Sequence, residues 1–119
     1  METIIRVVED GEKDNGTIKK GATYIKKGQI VAFPTETVYG LGANALDANA
    51  VRRIFKAKGR PSDNPLIVHI GDIDSLNELV TYVPDKARLL IDRYWPGPLT
   101  LVLPKSTVIP DEVTAGLHT

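Results

Sequence analysis

Cysteine is absent from this chain of 119 residues. Disulfides, thiolate metal sites and a cysteine nucleophile are excluded with it, and the redox compartment is left open. An excess of charge of either sign is also missing, because 15 Lys and Arg balance 15 Asp and Glu. Without a global field to attract a polyanion, any anion site must be a local cluster of cations. No apolar run reaches membrane-spanning length, and the N-terminus lacks a signal-peptide core. The expectation is a soluble, cytoplasmic protein with no membrane partner. The only two histidines, His69 and His118, have no metal-ligand spacing, so no protein metal site is expected. No serine sits in a G-x-S-x-G elbow. Gly11–Thr17 resembles a phosphate loop but places Thr17 where lysine is required. Asn15-Gly16-Thr17 matches a glycosylation sequon, which carries no meaning without secretion.

What is present is ordinary globular material, 42% hydrophobic and 25% charged, enough for one domain with a single core. Residues 3–8 are β-rich and predict a strand. Residues 15–27 carry Ile18, Ala22 and Ile25 at helical spacing and end at Gly28, which predicts an amphipathic helix closed by a glycine. Residues 30–34 predict a short buried strand stopped by Pro34. A helix is expected over 47–58, capped by Asp47, burying Val51, Ile54 and Phe55 and stopped at Gly59. Residues 66–70 predict another buried strand, and 74–80 a helix with Leu76, Leu79 and Val80 on one face. Pro84 suits the first turn of a helix over 84–94 carrying Ala87, Leu90, Ile91 and Tyr94. Trp95-Pro96-Gly97-Pro98 breaks it, and 99–103 predict a strand ended by Pro104. The tail, 105–119, shows no clear helix. Alternating strands and helices indicate an α/β fold.

The chemistry concentrates in Lys58-Gly59-Arg60-Pro61-Ser62-Asp63-Asn64-Pro65. A lysine at a helix end and an arginine in its exit loop combine a point charge with a bidentate fork, which suits phosphate or carboxylate. A lysine stem that snorkels past the core and stabilises the helix C-terminus is the alternative for Lys58. Asn64 either contacts a ligand or caps the turn. In an extended Pro34–Gly42 segment, Thr35 and Thr37 point to one side and Glu36 to the other. The two hydroxyls suit a small polar substrate beyond a strand end; a plain turn with β-branched fillers is the alternative. His69 shares a strand face with Ile67 and is either a hydrogen-bonded core residue or a ligand contact. This inventory of cations, hydroxyls and backbone amides suits phosphoryl or nucleotidyl transfer, which rests on positioning and charge stabilisation.

Three stretches in this order resemble the YrdC-type threonylcarbamoyl-AMP synthases: Lys27–Gly42 with its Pro34-Thr35-Glu36-Thr37 core, Lys58-Gly59-Arg60-Pro61 with Asn64-Pro65-Leu66, and Trp95-Pro96-Gly97-Pro98-Leu99-Thr100. The resemblance implies a twisted mixed sheet flanked by helices, with a concave basic cleft to which Lys56, Lys58, Arg60 and Lys105 contribute charge. It implies a nucleotidyltransferase that joins L-threonine, bicarbonate and ATP into threonylcarbamoyl-AMP and pyrophosphate. A separate complex then passes the threonylcarbamoyl group to tRNA. By resemblance Lys58 and Arg60 are catalytic; Lys58, Arg60 and Asn64 bind ATP; Thr37 and His69, with Thr35, bind L-threonine. Magnesium would enter through the phosphates. The family's later S-x-N element is not identified here: after residue 64 the only such triplet, Ser75-Leu76-Asn77, falls within the expected 74–80 helix. Residues 1–119 are therefore expected to be the N-terminal portion of one longer catalytic domain. The competing expectations are a double-stranded-RNA-binding module built on Arg52, Arg53, Lys56, Lys58 and Arg60, and a paralogue with another acceptor.

Overall fold

The computed structural model describes residues 2–119, and its organising element is the helix that leads into the basic loop. This helix, α2, spans Ala48–Lys58. It starts where expected because the Asp47 carboxylate accepts from the backbone N–H of Asn49 at 2.9 Å and of Ala50 at 3.2 Å. Those are two of the donors that a helix N-terminus leaves without partners. It ends at Gly59, whose φ of 62° is left-handed. The Gly59 N–H reaches the Lys56 carbonyl and the Arg60 N–H the Phe55 carbonyl, the paired bonds of a Schellman closure. Val51 and Ile54 are buried and Phe55 is half-buried. Val51 packs with Ile109 and Val113.

Val113 belongs to a helix that the sequence did not announce. This last helix of the chain, α5, covers Asp111–Thr114, with Pro110 at its start and Asp111 and Glu112 in its first turn. One turn is too short to display a helical period, so its burial of Val113 and Thr114 leaves no pattern in the sequence. The Arg52 guanidinium bonds the Glu112 carboxylate, tying α2 to α5 across the chain.

A second cluster joins Leu76 of α3 (Leu76–Leu79), Val83, and Ala87 and Ile91 of α4 (Asp85–Tyr94). Ile70, Val80, Trp95, Leu101 and Leu103 pack around it. The expected inner face of α4 is narrower than its periodicity suggested. Ala87 and Ile91 are buried, whereas Leu90 and Tyr94 are 40% and 53% exposed. The Trp95 indole N–H donates to the Leu99 carbonyl at 2.9 Å and folds the Trp-Pro-Gly-Pro stretch back on itself.

The first helix, α1, covers Asn15–Lys26 and buries no residue; Ile18, expected to face a core, is 49% exposed. Its exit is a second Schellman closure, with Gly28 N–H on Ile25 and Gln29 N–H on Tyr24. The expected strand at 30–34 appears as β1, Val31–Phe33, half-buried at its first residue only. It pairs antiparallel with β2, Gly40–Gly42, with Phe33 opposite Gly40. Gly-Leu-Gly has little strand propensity, so sequence patterning missed β2. The glycines serve the Phe33 ring: a Cβ on Gly42 would stand 2.7 Å from its Cε1.

Residues 3–8, 66–70 and 99–103, all expected as strands, form no ladder among the described residues. Ile5 and Val7 in the first are 84% and 74% exposed. The other two alternate in burial as read: Leu66, Val68 and Ile70 half-buried, Ile67 and His69 exposed. Propensity and alternation set a strand's conformation and faces, but a ladder also needs a neighbour for its backbone groups. Leu66 N–H bonds the Val113 carbonyl and the Leu99 carbonyl accepts the Trp95 indole N–H, while an antiparallel bridge joins Val80 to Lys105, two residues past the second segment.

Replacing Asp47 by alanine should lower unfolding free energy by about 1 kcal/mol, read from the urea midpoint by circular dichroism. The Lys105 ammonium bonds Asp111 Oδ1 at 2.6 Å, and this hydrogen bond, with the lysine's charge, holds the Asp111 carboxyl below its ordinary value. A depressed folded pKa adds stability above the unfolded value, near pH 4, and that stability is lost as pH falls through the folded value. In Lys105→Met the Asp111 carboxyl should titrate at higher pH by carbon-detected NMR; an unchanged titration would show that the pair does not set it.

Candidate functional site

The Pro34–Tyr39 segment is bent rather than extended. The Thr35 hydroxyl donates to the Val38 carbonyl and accepts the Thr37 N–H at 3.3 Å. Such a hydroxyl-closed turn is a common use of threonine, and it replaces the simple two-sided alternation of Thr35, Glu36 and Thr37. Thr35 therefore shapes the loop, while the Thr37 side chain makes no hydrogen bond among the described residues and is exposed.

Lys58, Arg60 and Asn64 all stand exposed at and beyond the end of α2. The Gly59 closure fixes the backbone of Arg60 against Phe55, so the arginine leaves a rigid helix end rather than a free loop. Neither Lys58 nor Arg60 has an acidic partner among the described residues. Their neighbours are committed elsewhere. Arg52 engages Glu112 and, at 2.6 Å, Asn49; Arg53 donates to the Gly28 carbonyl at 3.0 Å. The five-cation cluster expected for RNA thus has two members holding the fold. Lys105, also counted toward the site's charge, bonds Asp111 and the Ile109 carbonyl at 3.0 Å.

The loop runs through Asn64 into Pro65, where a cleft of about 890 Å³ begins. Residues 65–71 line it together with 95–103, and most of the lining is apolar. Of the residues expected at the site, His69 lines this cleft; Lys58, Arg60, Asn64, Thr35 and Thr37 do not. Glu36, to which no role was given, does line it. Its signal was the bend itself: once Thr35 closes the turn, the intervening carboxylate is free to face a different neighbour. Asp72 also reaches the cleft but accepts from the Ser75 N–H and hydroxyl, both at 2.9 Å. The Ser75 backbone bond, then its hydroxyl, lower the Asp72 pKa.

His69 Nδ1 lies 3.3 Å from the Ile67 carbonyl. A carbonyl can only accept, so this contact places the proton on Nδ1 and leaves Nε2 of the neutral ring as an acceptor. Among the described residues no group of three or more His, Cys, Asp or Glu side chains could hold a metal ion.

The arrangement can be set beside known proteins. A threonylcarbamoyl-AMP synthase of Pyrococcus abyssi is 58% identical over all 119 residues, which make up 34% of that protein. The synthase of Bacillus subtilis is 51% identical over 97% of this chain and 34% of its own length. The chain thus spans about a third of the curated relatives it matches. The crystal structure of P. abyssi Sua5 complexed with L-threonine superposes with a TM-score of 0.82 at 60% identity, covering 87% of this chain and 30% of that one. A solution structure from Methanobacterium thermoautotrophicum gives 0.65 at 34% identity, over 99% of this chain and 54% of that one. Its fold class is the α/β arrangement of these structures. Residues 23–119 match the family model for Sua5, YciO and YrdC proteins, described as telomere recombination, and the chain belongs to that family.

Proposed function

We propose that this chain carries the threonine-binding wall and the cationic arm of an L-threonylcarbamoyladenylate synthase. The observation that carries the proposal is Lys58 and Arg60 held together at the Gly59-closed end of α2, without acidic partners. Two fixed, unneutralised cations on one rigid corner suit a triphosphate and an anionic carbamate. The relative crystallised with L-threonine, at 60% identity, supports the amino-acid half of the assignment.

In the proposed reaction the threonine amine attacks bicarbonate carbon, water leaves, and a carbamate forms. A carbamate oxygen then attacks the α-phosphorus of ATP, the bond to the β-phosphate oxygen breaks, and pyrophosphate departs. Lys58 and Arg60 would stabilise the charge that builds on the α-phosphate and the leaving pyrophosphate. Asn64, on the same loop, would contact the nucleotide. Thr37 and His69 would hold L-threonine, with the His69 Nε2 accepting the substrate hydroxyl proton. Thr35 would act through the turn it closes. Magnesium, carried by the triphosphate, would supply further charge neutralisation. The product would pass to a threonylcarbamoyl-transfer complex acting on tRNA. A double-stranded-RNA-binding role is less well supported, because Arg52 and Arg53 are occupied within the fold.

The test is a chimera in which these residues replace the matching third of the P. abyssi relative. It should release pyrophosphate from ATP only when both L-threonine and bicarbonate are present. Lys58→Ala or Arg60→Ala in the chimera should slow release by roughly 100-fold or more. Release that ignores threonine would overturn the proposal.

A further inference from the structure

The loop that carries Thr37 is closed at its base by one aromatic ring. Phe33 ends β1 and Gly40 begins β2. The two stand opposite each other in the ladder, so residues 34–39 leave and return at this pair. The Phe33 ring reaches both glycines of β2. A Cβ on Gly40 would stand 3.1 Å from its Cζ, and one on Gly42 2.7 Å from its Cε1. The Thr35 methyl lies 3.5 Å from the same Gly40 position. Backbone conformation does not ask for these two glycines, because among the described residues the positive-φ glycines are Gly28, Gly59 and Gly116. Two glycines in a three-residue strand weaken it, since they bring no side chain to pack and lose the most freedom on folding. What they provide is room for the ring. Phe33 itself belongs to neither buried cluster and is 39% exposed, so the core does not require an aromatic here.

We infer that Phe33 is a positioning residue: its ring, seated against Gly40 and Gly42, fixes both ends of the 34–39 loop and with them the place of Thr37. The inference rests on the L-threonine-binding role proposed above for Thr37 and adds what holds that residue in position. Within the loop the hydrogen bonds among the described residues are those of the Thr35 hydroxyl, to the Val38 carbonyl and from the Thr37 N–H. They shape the turn but tie it to nothing outside itself. The ring supplies that outside anchor. Glu36 of the same loop lines the cleft, so a shift at the loop base moves part of the cleft wall. Carbon atoms in ordinary contact stand about 3.5–4.0 Å apart. A methyl group at Gly42 would therefore push the ring, and the loop with it, by about 1 Å. A misplacement of that size at a positioning group can cost roughly 100-fold in rate.

The experiment compares wild type, Phe33→Ala, Gly42→Ala and the double variant Gly42→Ala with Phe33→Leu, in this chain and in the P. abyssi chimera. In the chain, nitrogen relaxation by NMR should give backbone order parameters near ~0.85 for residues 35–39 of wild type and below about 0.6 in Phe33→Ala. The amide shifts of Val51, Ile91 and Val113 should stay unchanged, because Phe33 lies outside both clusters. In the chimera, with pyrophosphate release as the assay, Phe33→Ala and Gly42→Ala should each raise the KM for L-threonine by roughly tenfold or more. The KM for ATP should stay within about twofold. In the double variant leucine vacates the space that the new methyl needs, and the threonine KM should return to within about threefold of wild type. A residue that only stabilised the fold would move both KM values together and would not be rescued by a smaller partner. Wild-type order parameters in Phe33→Ala, equal effects on both substrates, or no rescue in the double variant would overturn the positioning role. A chimera indifferent to threonine removes the threonine-binding reading instead, and the relaxation data then decide separately whether Phe33 holds the loop.

Discussion

The burial of one face of α2 is the constraint on which the rest of this structure depends. Val51 presses against Ile109 and Val113, and the Arg52–Glu112 pair closes the same contact from its exposed side. Everything chemical follows from where that helix begins and stops. Its start is set by one aspartate, its end by one glycine, and the end delivers Lys58 and Arg60 to a single corner. Moving the helix by one residue would turn both cations by about 100° around its axis, since an α-helix has 3.6 residues per turn. A basic corner on this fold is therefore a consequence of packing on the far face.

The candidate site divides along a second line, between groups that hold the protein together and groups that remain free. Zero net charge conceals this division. Arg52, Arg53 and Lys105 look in the sequence like Lys58 and Arg60, yet the first three answer to Glu112, Gly28 and Asp111. The carboxylates split the same way: Asp47 caps a helix, Asp72 closes a turn, and Glu36 does neither. A site of few free groups on an apolar cleft is what small-molecule recognition requires, because each uncommitted charge then has one function.

Much of the fold was legible before the coordinates. The limits of α2 followed from its Asp47 cap and terminal glycine, and the end of α1 from Gly28, because those signals are local and chemical. Three expected strands proved harder. Residues 66–70 and 99–103 show the alternation of burial read from them but no strand, because pairing depends on neighbours that no local pattern encodes. The glycine-rich β2 was invisible because its reason is the Phe33 ring, a contact defined only in three dimensions. The short α5 was hidden by its length. At the site, Lys58 and Arg60 were singled out by their charge and spacing, and Asn64 by its place at the base of their loop. Glu36 was passed over because an extended Thr-Glu-Thr would turn it away, and only the Thr35 hydrogen bonds reverse that.

Gly28 links these parts. Its carbonyl accepts from Arg53, and a side chain on its Cα would stand 2.9 Å from the Asp47 carboxylate. One residue at the exit of α1 therefore touches both the body of α2 and the carboxylate that starts it. The exit of α1 and the start of α2 are thus set by the same few atoms, and a side chain at residue 28 would crowd the carboxylate that caps α2.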